Sequence, residues 1–107
     1  MIVVNTEFVP GYEIRETLGL VVGNTIRCRW VVRDFMASVR QTVGGEIKSY
    51  TKMISDAREE ALSRMREQAE ELGADGIINV RLATSQVMGN AAEVLAYGTA
   101  VKLQKRS

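Results

Sequence analysis

"ISDAREEALSRMREQAEEL", residues 54–72, carries the most regular pattern of the chain, with apolar residues recurring at steps of three and four. This spacing predicts a helix of roughly 30 Å with one apolar and one charged face. The apolar face consists of Ile54, Ala57, Ala61, Met65, Ala69 and Leu72. Gly73 follows where a left-handed cap is expected to end the helix. A helix with one apolar face needs a sheet or a second helix to cover that face.

Two strands are predicted after the long helix. Residues 78–84 alternate between apolar and more polar side chains, which is typical of a half-buried strand. Residues 85–92 contain a Gly-Asn pair and predict a connection. Residues 94–103 are apolar on both sides, with Leu95 and Tyr97 on one side, so both faces of this strand should be covered.

A hairpin and a short helix are predicted before the long helix. Residues 12–18 alternate as a strand, Gly23 and Asn24 supply a turn, and an extended pattern resumes at residues 26–32. From Phe35 to Val43 the apolar residues fall on one helix face, and Gly44 would end that helix. Gly45 would then allow the chain to turn before the long helix begins.

The predicted order of elements is strand, strand, helix, helix, strand, strand. It indicates an α+β fold, in which a largely antiparallel sheet packs one face on the long helix, with the short helix beside it. With 107 residues and no linker or internal repeat, the chain is expected to form one domain, residues 1–107. The second face of the sheet then lacks a partner within the chain.

Composition and charge exclude several classes of function. A net charge of +1 provides no broad field for nucleic acid or anionic membranes. A single cysteine rules out a disulfide-based secreted domain, and the N-terminal residues show neither a signal peptide nor a membrane-spanning segment. We therefore expect a cytoplasmic protein that binds neither nucleic acid nor membrane.

Several segments together resemble the YbjQ-like family of small, uncharacterised prokaryotic proteins. They include "VVGNTI" at 21–26, "VGGEIKSY" at 43–50, "AREEAL" at 57–62 and "AEELGADGI" at 69–77. The resemblance implies a dodecin-like α+β subunit that assembles into a ring, a pentamer or a decamer. Such assembly agrees with the apolar character of both sides of residues 94–103. The family also carries a heavy-metal-binding label, but the resemblance assigns no cofactor and no ligand residue to this chain.

The side chains available to coordinate a metal argue against a heavy-metal site within one subunit. Soft metals prefer several thiolate or imidazole ligands, whereas this chain has no histidine and only Cys28. In a ring, however, Cys28 of every subunit could meet around the axis and form a shared site. A buried structural thiol remains the favoured interpretation of Cys28.

A small-ligand site between subunits is the second hypothesis, with Arg33, Asp34 and Glu46 as its residues, because they lie near the predicted helix ends. Helix capping and surface ion pairing are the favoured interpretation of the same residues. Trp30 and Tyr97 could stack on a flat ligand such as flavin, although single aromatic residues more often anchor a core or an interface.

No enzyme is predicted. The candidate catalytic side chains form no recognisable acid–base or nucleophile arrangement. These candidates are Tyr12, Glu16, Asp34, Glu46, Lys48, Tyr50 and Glu93. The sequence therefore favours a non-catalytic homo-oligomeric assembly or scaffold, with a small-molecule-binding or metal-binding module as the alternative.

Overall fold

The computed structural model describes residues 1–28, 45–88 and 91–107, of which 27–28, 45–50 and 86–88 are described by their backbone alone. The elements, in chain order, are β1 (Ile2–Val3), β2 (Tyr12–Cys28), α1 (Gly45–Glu71), β3 (Gly76–Met88) and β4 (Ala91–Lys105). The predicted short helix between Phe35 and Val43 lies outside the described residues. The predicted connection at 85–92 is shorter in the structure, because β3 continues to Met88 and β4 starts at Ala91.

The strands form one four-stranded mixed sheet in the order β1-β3-β4-β2. β4 lies between β2 and β3 and is antiparallel to both, whereas β1 is parallel to β3. The predicted α+β class with a largely antiparallel sheet is therefore confirmed. β1 was not predicted, since two residues are too few to show an alternating pattern.

The predicted hairpin turn at Gly23 and Asn24 is wrong, because β2 continues through both residues to Cys28. From Gly19 to Cys28 the strand pairs with β4 without a break in register. Gly23 is needed here for close packing: a Cβ atom at this position would overlap the backbone of α1 at Ala61 and Met65. Glycine in a strand interior commonly marks such a close approach.

α1 ends where the sequence predicts, at a left-handed glycine. Gly73 has φ 77°, its N–H donates to the Glu70 carbonyl, and the Ala74 N–H donates to the Ala69 carbonyl. These two hydrogen bonds form a Schellman motif. The start of α1 is at Gly45, nine residues earlier than the periodic stretch that begins at Ile54.

The main core lies between α1 and the first face of the sheet. The buried helix side chains are Met53, Ala57, Ala61, Met65 and Ala69. They cover the even-numbered residues of β4 and the odd-numbered residues of β2, which include Val94, Ala96, Ala100 and Val21. Three of these residues on the helix and two on β4 are alanines, and their small side chains keep the helix close to the strands.

The second face of the sheet is covered at one end by the chain's own N-terminal segment. Val9 packs there with Ile78 and Val101 in a second buried cluster, flanked by Tyr12 and Leu103. Residues 1–11 therefore form a strap over this end. The strap covers the second face near Val101 of β4. It does not extend over the opposite end of that face.

A β-bulge in β3 changes which residues face the helix. The register shifts between Ile78 and Arg81, and Asn79 adopts the left-handed conformation with φ 54°. The Asn79 N–H donates to the Thr6 carbonyl and the Val80 N–H to the Val4 carbonyl. The bulge thus joins the strap to the sheet.

We expect Asn79→Val to lower the free energy of unfolding by about 1–2 kcal/mol, because a β-branched residue is strained at positive φ. Asn79→Gly, which accepts this conformation, is the matched control and should change the stability by about 0.5 kcal/mol or less. Urea denaturation at equal protein concentrations measures both. Equal losses for Val and Gly would show that the Asn79 side chain, rather than its backbone conformation, stabilises the bulge.

Candidate functional site

An exposed apolar surface occupies the second face of the sheet beyond the strap. We call it the open face, and it consists of Leu20, Val22, Ile26, Leu95 and Tyr97. Leu20 is 69% exposed, Ile26 57%, and Val22 and Tyr97 36% each. Single exposed apolar residues are ordinary on a soluble protein, but a contiguous group of them indicates an interaction site.

Strand pairing places these side chains next to one another. Val22 is paired with Tyr97, Asn24 with Leu95, and Leu20 with Thr99. Directly paired residues in an antiparallel ladder project from the same face, so the even residues of β2 and the odd residues of β4 form one surface. Ile26 extends this surface toward the end of β2, where it is paired with Glu93.

A polar cavity of about 350 Å³ lies at the other end of the sheet. Its walls are formed by Arg15, Glu16, Asp75, Lys102 and Leu103. Asp75 Oδ2 accepts a hydrogen bond of 2.9 Å from the Leu103 N–H, so this carboxylate stabilises the strand end. Two cations and two carboxylates balance each other here, and the arrangement favours neither an anion nor a cation.

The predicted ligand residues are only partly described. Glu46 lies in the first turn of α1, whereas Arg33 and Asp34 lie outside the described residues. Cys28 ends β2 and is paired with Ala91. A site formed by Arg33, Asp34 and Glu46, and a site formed by Cys28 around an axis, both stay predictions.

The candidate catalytic residues in the described part of the sheet lie far apart along the strands. Tyr12 is paired with Lys105 at one end of the β2–β4 ladder, and Glu93 is paired with Ile26 near the other. Glu16 contributes to the polar cavity. Lys48 and Tyr50 lie in the first turns of α1, and the predicted stacking partner of Tyr97, Trp30, lies outside the described residues.

Sequence reasoning missed the β2 half of the open face. The turn predicted at Gly23 and Asn24 separated Leu20 and Val22 from Ile26, although all three belong to one strand face. The signal was the even spacing of these residues, which continues through Asn24. None of the helical residues that the structure describes forms an apolar segment of the length that a bilayer crossing requires.

Comparison with known families gives a match over residues 1–104 to the YbjQ family model, whose description is "Putative heavy-metal-binding". The chain belongs to the YbjQ-like family. Its relatives include a UPF0145 protein of Methanoculleus marisnigri, which is 57% identical and aligned over 99% of both chains. A UPF0145 protein of Dehalococcoides mccartyi is 58% identical, with 94% of this chain and 97% of that protein aligned.

A solved structure supports the fold of this YbjQ-like chain. It is a protein of unknown function from Pediococcus pentosaceus, assigned to the DUF74 family. The two chains superpose with a TM-score of 0.66 over 97% of this chain and 98% of the other, at 21% sequence identity. At this identity the likeness establishes the common fold.

The family description raises the question of whether the side chains of this YbjQ-like protein suit a heavy metal. In the described part of the chain, no three Cys, Asp or Glu side chains are grouped as metal ligands. The sequence has no histidine, and its single cysteine supplies one thiolate per chain. Because soft metals require several such donors, these residues do not fit a heavy-metal site within one subunit.

Proposed function

We propose that the protein is a non-catalytic cytoplasmic homo-oligomer, a ring of five subunits in which the open face is buried between neighbours. The observation that carries this proposal is the exposed row of Leu20, Val22 and Ile26 beside Tyr97. Burial of such side chains stabilises an interface by about 25 cal/mol for each Å² removed from water. Aromatic and aliphatic anchors of this kind are typical of interface centres.

The dimensions of the chain support the proposal. The Cα atoms extend over 60 × 21 × 17 Å, with a radius of gyration of 17.6 Å. A compact chain of this length has a radius of gyration of about 13 Å. The long β2 and α1 give the subunit this shape. An elongated subunit exposes a large surface to water, and contacts with neighbouring subunits in an assembly would bury part of that surface.

The accessible surface expresses the same elongated shape as an area. The chain exposes 7185 Å², whereas a monomeric protein of its mass exposes about 5,900 Å². The excess of about 1,200 Å² is comparable to the area that a standard interface buries, about 800 Å² on each partner. Assembly through the open face would remove part of this excess.

Sedimentation velocity over a range of micromolar concentrations tests the proposal. We expect one species several times heavier than the 11.9 kDa chain. Its sedimentation coefficient should not fall on tenfold dilution, because in a closed ring the loss of any one subunit breaks two interfaces. A single species with the mass of one chain at all concentrations would contradict the proposal.

The second candidate function is a metal-binding module whose site lies between subunits. The family description favours it, as does the position of Cys28, two residues beyond Ile26 on β2. If several copies of Cys28 meet at an axis, their thiolates would supply the donors that one chain lacks.

Cys28→Ser tests this candidate. After incubation with Zn²⁺ or Cd²⁺ and removal of free metal, the wild type should retain metal at a fixed ratio per assembly. The variant should lose it while the number of subunits stays the same, since serine does not replace a thiolate ligand. Elemental analysis of the gel-filtered protein measures the ratio, and equal metal content in both proteins would count against a thiol site.

A further inference from the structure

We propose that the polar cavity at the end of the sheet binds a free α-amino acid. Arg15 and Lys102 hold the carboxylate of this ligand. Glu16 and Asp75 hold its ammonium group. The cavity of about 350 Å³, which Leu103 also lines, is open on one side and admits a small molecule. Small-molecule sites in proteins range from roughly 300 to 1,000 Å³. The site is separate from the open face and does not depend on self-association.

Strand pairing brings the charged groups of the cavity together. Glu16 of β2 is paired with Lys102 of β4, and Gly76 at the start of β3 is paired with Val101. Asp75, which precedes Gly76, therefore lies beside the same part of β4 on its other side. Neighbouring strands are about 4.8 Å apart. One row across the sheet thus carries a carboxylate, an ammonium group and a second carboxylate.

A β-bulge adds Arg15 to this group. Ile14 is paired with Leu103 and Glu16 with Lys102, so Arg15 is the additional residue of β2 at this register shift. Consecutive residues of a regular strand point to opposite faces. Arg15 and Glu16 nevertheless both line the cavity, because a bulge changes the direction of a side chain, and bulges are frequent beside binding sites.

Asp75 is held in position by the backbone around it. Its N–H donates to the Val101 carbonyl at 2.9 Å, and its own carbonyl accepts from the Ile2 N–H at 3.2 Å. Asp75 Oδ2 accepts from the Leu103 N–H at 2.9 Å, whereas Oδ1 has no hydrogen-bond partner among the described residues. Oδ1 is therefore available to an ammonium group, and little ordering is needed when the ligand binds.

The opposite charges of the cavity do not neutralise one another. Across the described ranges, no ion pair joins Arg15, Glu16 or Lys102 to another side chain. Lys102 Nζ lies at the end of α1 instead, where a Cβ atom added to Gly73 would be 3.6 Å from it. The helix dipole favours a cation at this end. The charges of Glu16 and Lys102 therefore stay separate although the two residues are paired.

The balance of these charges identifies the chemical class of the ligand. A simple anion would be attracted by two cations but repelled by two carboxylates, and the reverse holds for a simple cation. A ligand that carries one charge of each sign can contact all four groups favourably. In an α-amino acid both charges are attached to one carbon atom, which suits the consecutive residues Arg15 and Glu16.

The apolar part of the walls favours an aliphatic amino acid. Leu103 is half-buried and packs against the second buried cluster, so its position is fixed by the core. The side chain of the ligand can lie against Leu103, and burial of apolar surface would add to the affinity. L-Leucine is therefore the probe with which we test the proposal.

Isothermal titration calorimetry of the wild type compares L-leucine with two analogues that each lack one charge. L-Leucinamide has no carboxylate, and N-acetyl-L-leucine has no ammonium group. We expect L-leucine to bind about tenfold or more tightly than either analogue, because each analogue loses charge-assisted hydrogen bonds. Equal affinities of the three compounds, or no binding of L-leucine at millimolar concentration, would overturn the proposal.

Arg15→Gln and Glu16→Gln locate the site. Both side chains are exposed, so the fold should tolerate these changes, and circular dichroism establishes that it does. Each variant should bind L-leucine about tenfold or more weakly than the wild type. Arg15→Gln should also abolish the preference for L-leucine over L-leucinamide. Glu16→Gln should abolish the preference over N-acetyl-L-leucine, an effect that a purely structural role would not produce.

Two matched controls complete the test. Glu13→Gln changes another exposed carboxylate of β2, and Arg66→Gln changes an exposed guanidinium of α1; neither residue lines the cavity. Both controls should bind L-leucine as the wild type does. Equal weakening in all four variants would indicate a general effect of charge, and unchanged binding in Arg15→Gln and Glu16→Gln would place the ligand elsewhere. Either result would overturn the proposal.

Discussion

Gly23→Ala is expected to lower the free energy of unfolding by about 3 kcal/mol or more, the upper part of the range for an overpacked core. The added methyl group would overlap the Ala61 carbonyl oxygen and the Met65 amide nitrogen of α1. Both are backbone atoms, so no side-chain rotation can make room. The helix would have to move away from β2, and its packing against Val21 would loosen. Chemical denaturation followed by circular dichroism measures the loss.

Two controls make this prediction specific. Gly11→Ala should cost only about 1–2 kcal/mol, because Gly11 has φ 85° but no heavy atom lies near its added Cβ. Shortening the neighbouring side chain, as in the double variant Gly23→Ala with Met65→Ala, should not restore stability. A restored stability would show that the methyl group meets the Met65 side chain rather than the helix backbone.

Leu20→Lys is expected to weaken the assembly strongly while the subunit stays folded. Leu20 is 69% exposed in the single chain, so the substitution removes little packing within it. In the assembly, the same change would remove a buried leucine and place a charge against the neighbour. The lost burial alone is worth about 2 kcal/mol, which raises the dissociation constant roughly 30-fold. Sedimentation velocity on a dilution series measures this shift.

Leu72→Lys is the matched control for this effect. It makes the same chemical change at another exposed leucine, 46% exposed just after α1 and away from the open face. A cation near the C-terminus of a helix is favourable, so the fold should tolerate it. Equal dissociation of both variants would indicate a general effect of charge, and an unchanged Leu20→Lys assembly would place the interface elsewhere.

The long helix and its end could be predicted from the sequence because both depend on local interactions. The spacing from Ile54 to Ala69 reports the buried face directly, and Gly73 supplies the conformation that the cap requires. The start at Gly45 was missed, since the first turns of α1 precede the periodic stretch and begin with a glycine. Glycine is unfavourable inside a helix but is accepted at its first residue.

The strands were less predictable because tertiary contacts, rather than local sequence, determine where their glycines and bulges occur. Gly23 followed by Asn24 is a turn signal in the sequence, yet Gly23 is required by a helix that lies about 40 residues later in the chain. Ile78 and Leu82 were expected on one face. The bulge at Asn79 instead directs Ile78 to the second cluster and pairs Leu82 with Ala96 on the helix side.

The candidate site was half predictable. The apolar character of both sides of residues 94–103 indicated a covered second face, and the structure shows that Val101 is covered by the strap while Tyr97 is not. The contribution of Leu20, Val22 and Ile26 depended on recognising β2 as one strand. Which surface is left open depends on where the strap ends, and no local pattern in residues 1–11 encodes that position.

A native mass spectrum of the purified wild type, with a denatured control, tests the central claim of self-association most directly. We expect a complex with five times the mass of the 11.9 kDa chain. Extra mass that disappears on denaturation, at a fixed ratio per ring, would favour the ligand-binding or metal-binding module. A spectrum showing a single chain at micromolar concentration would contradict the account.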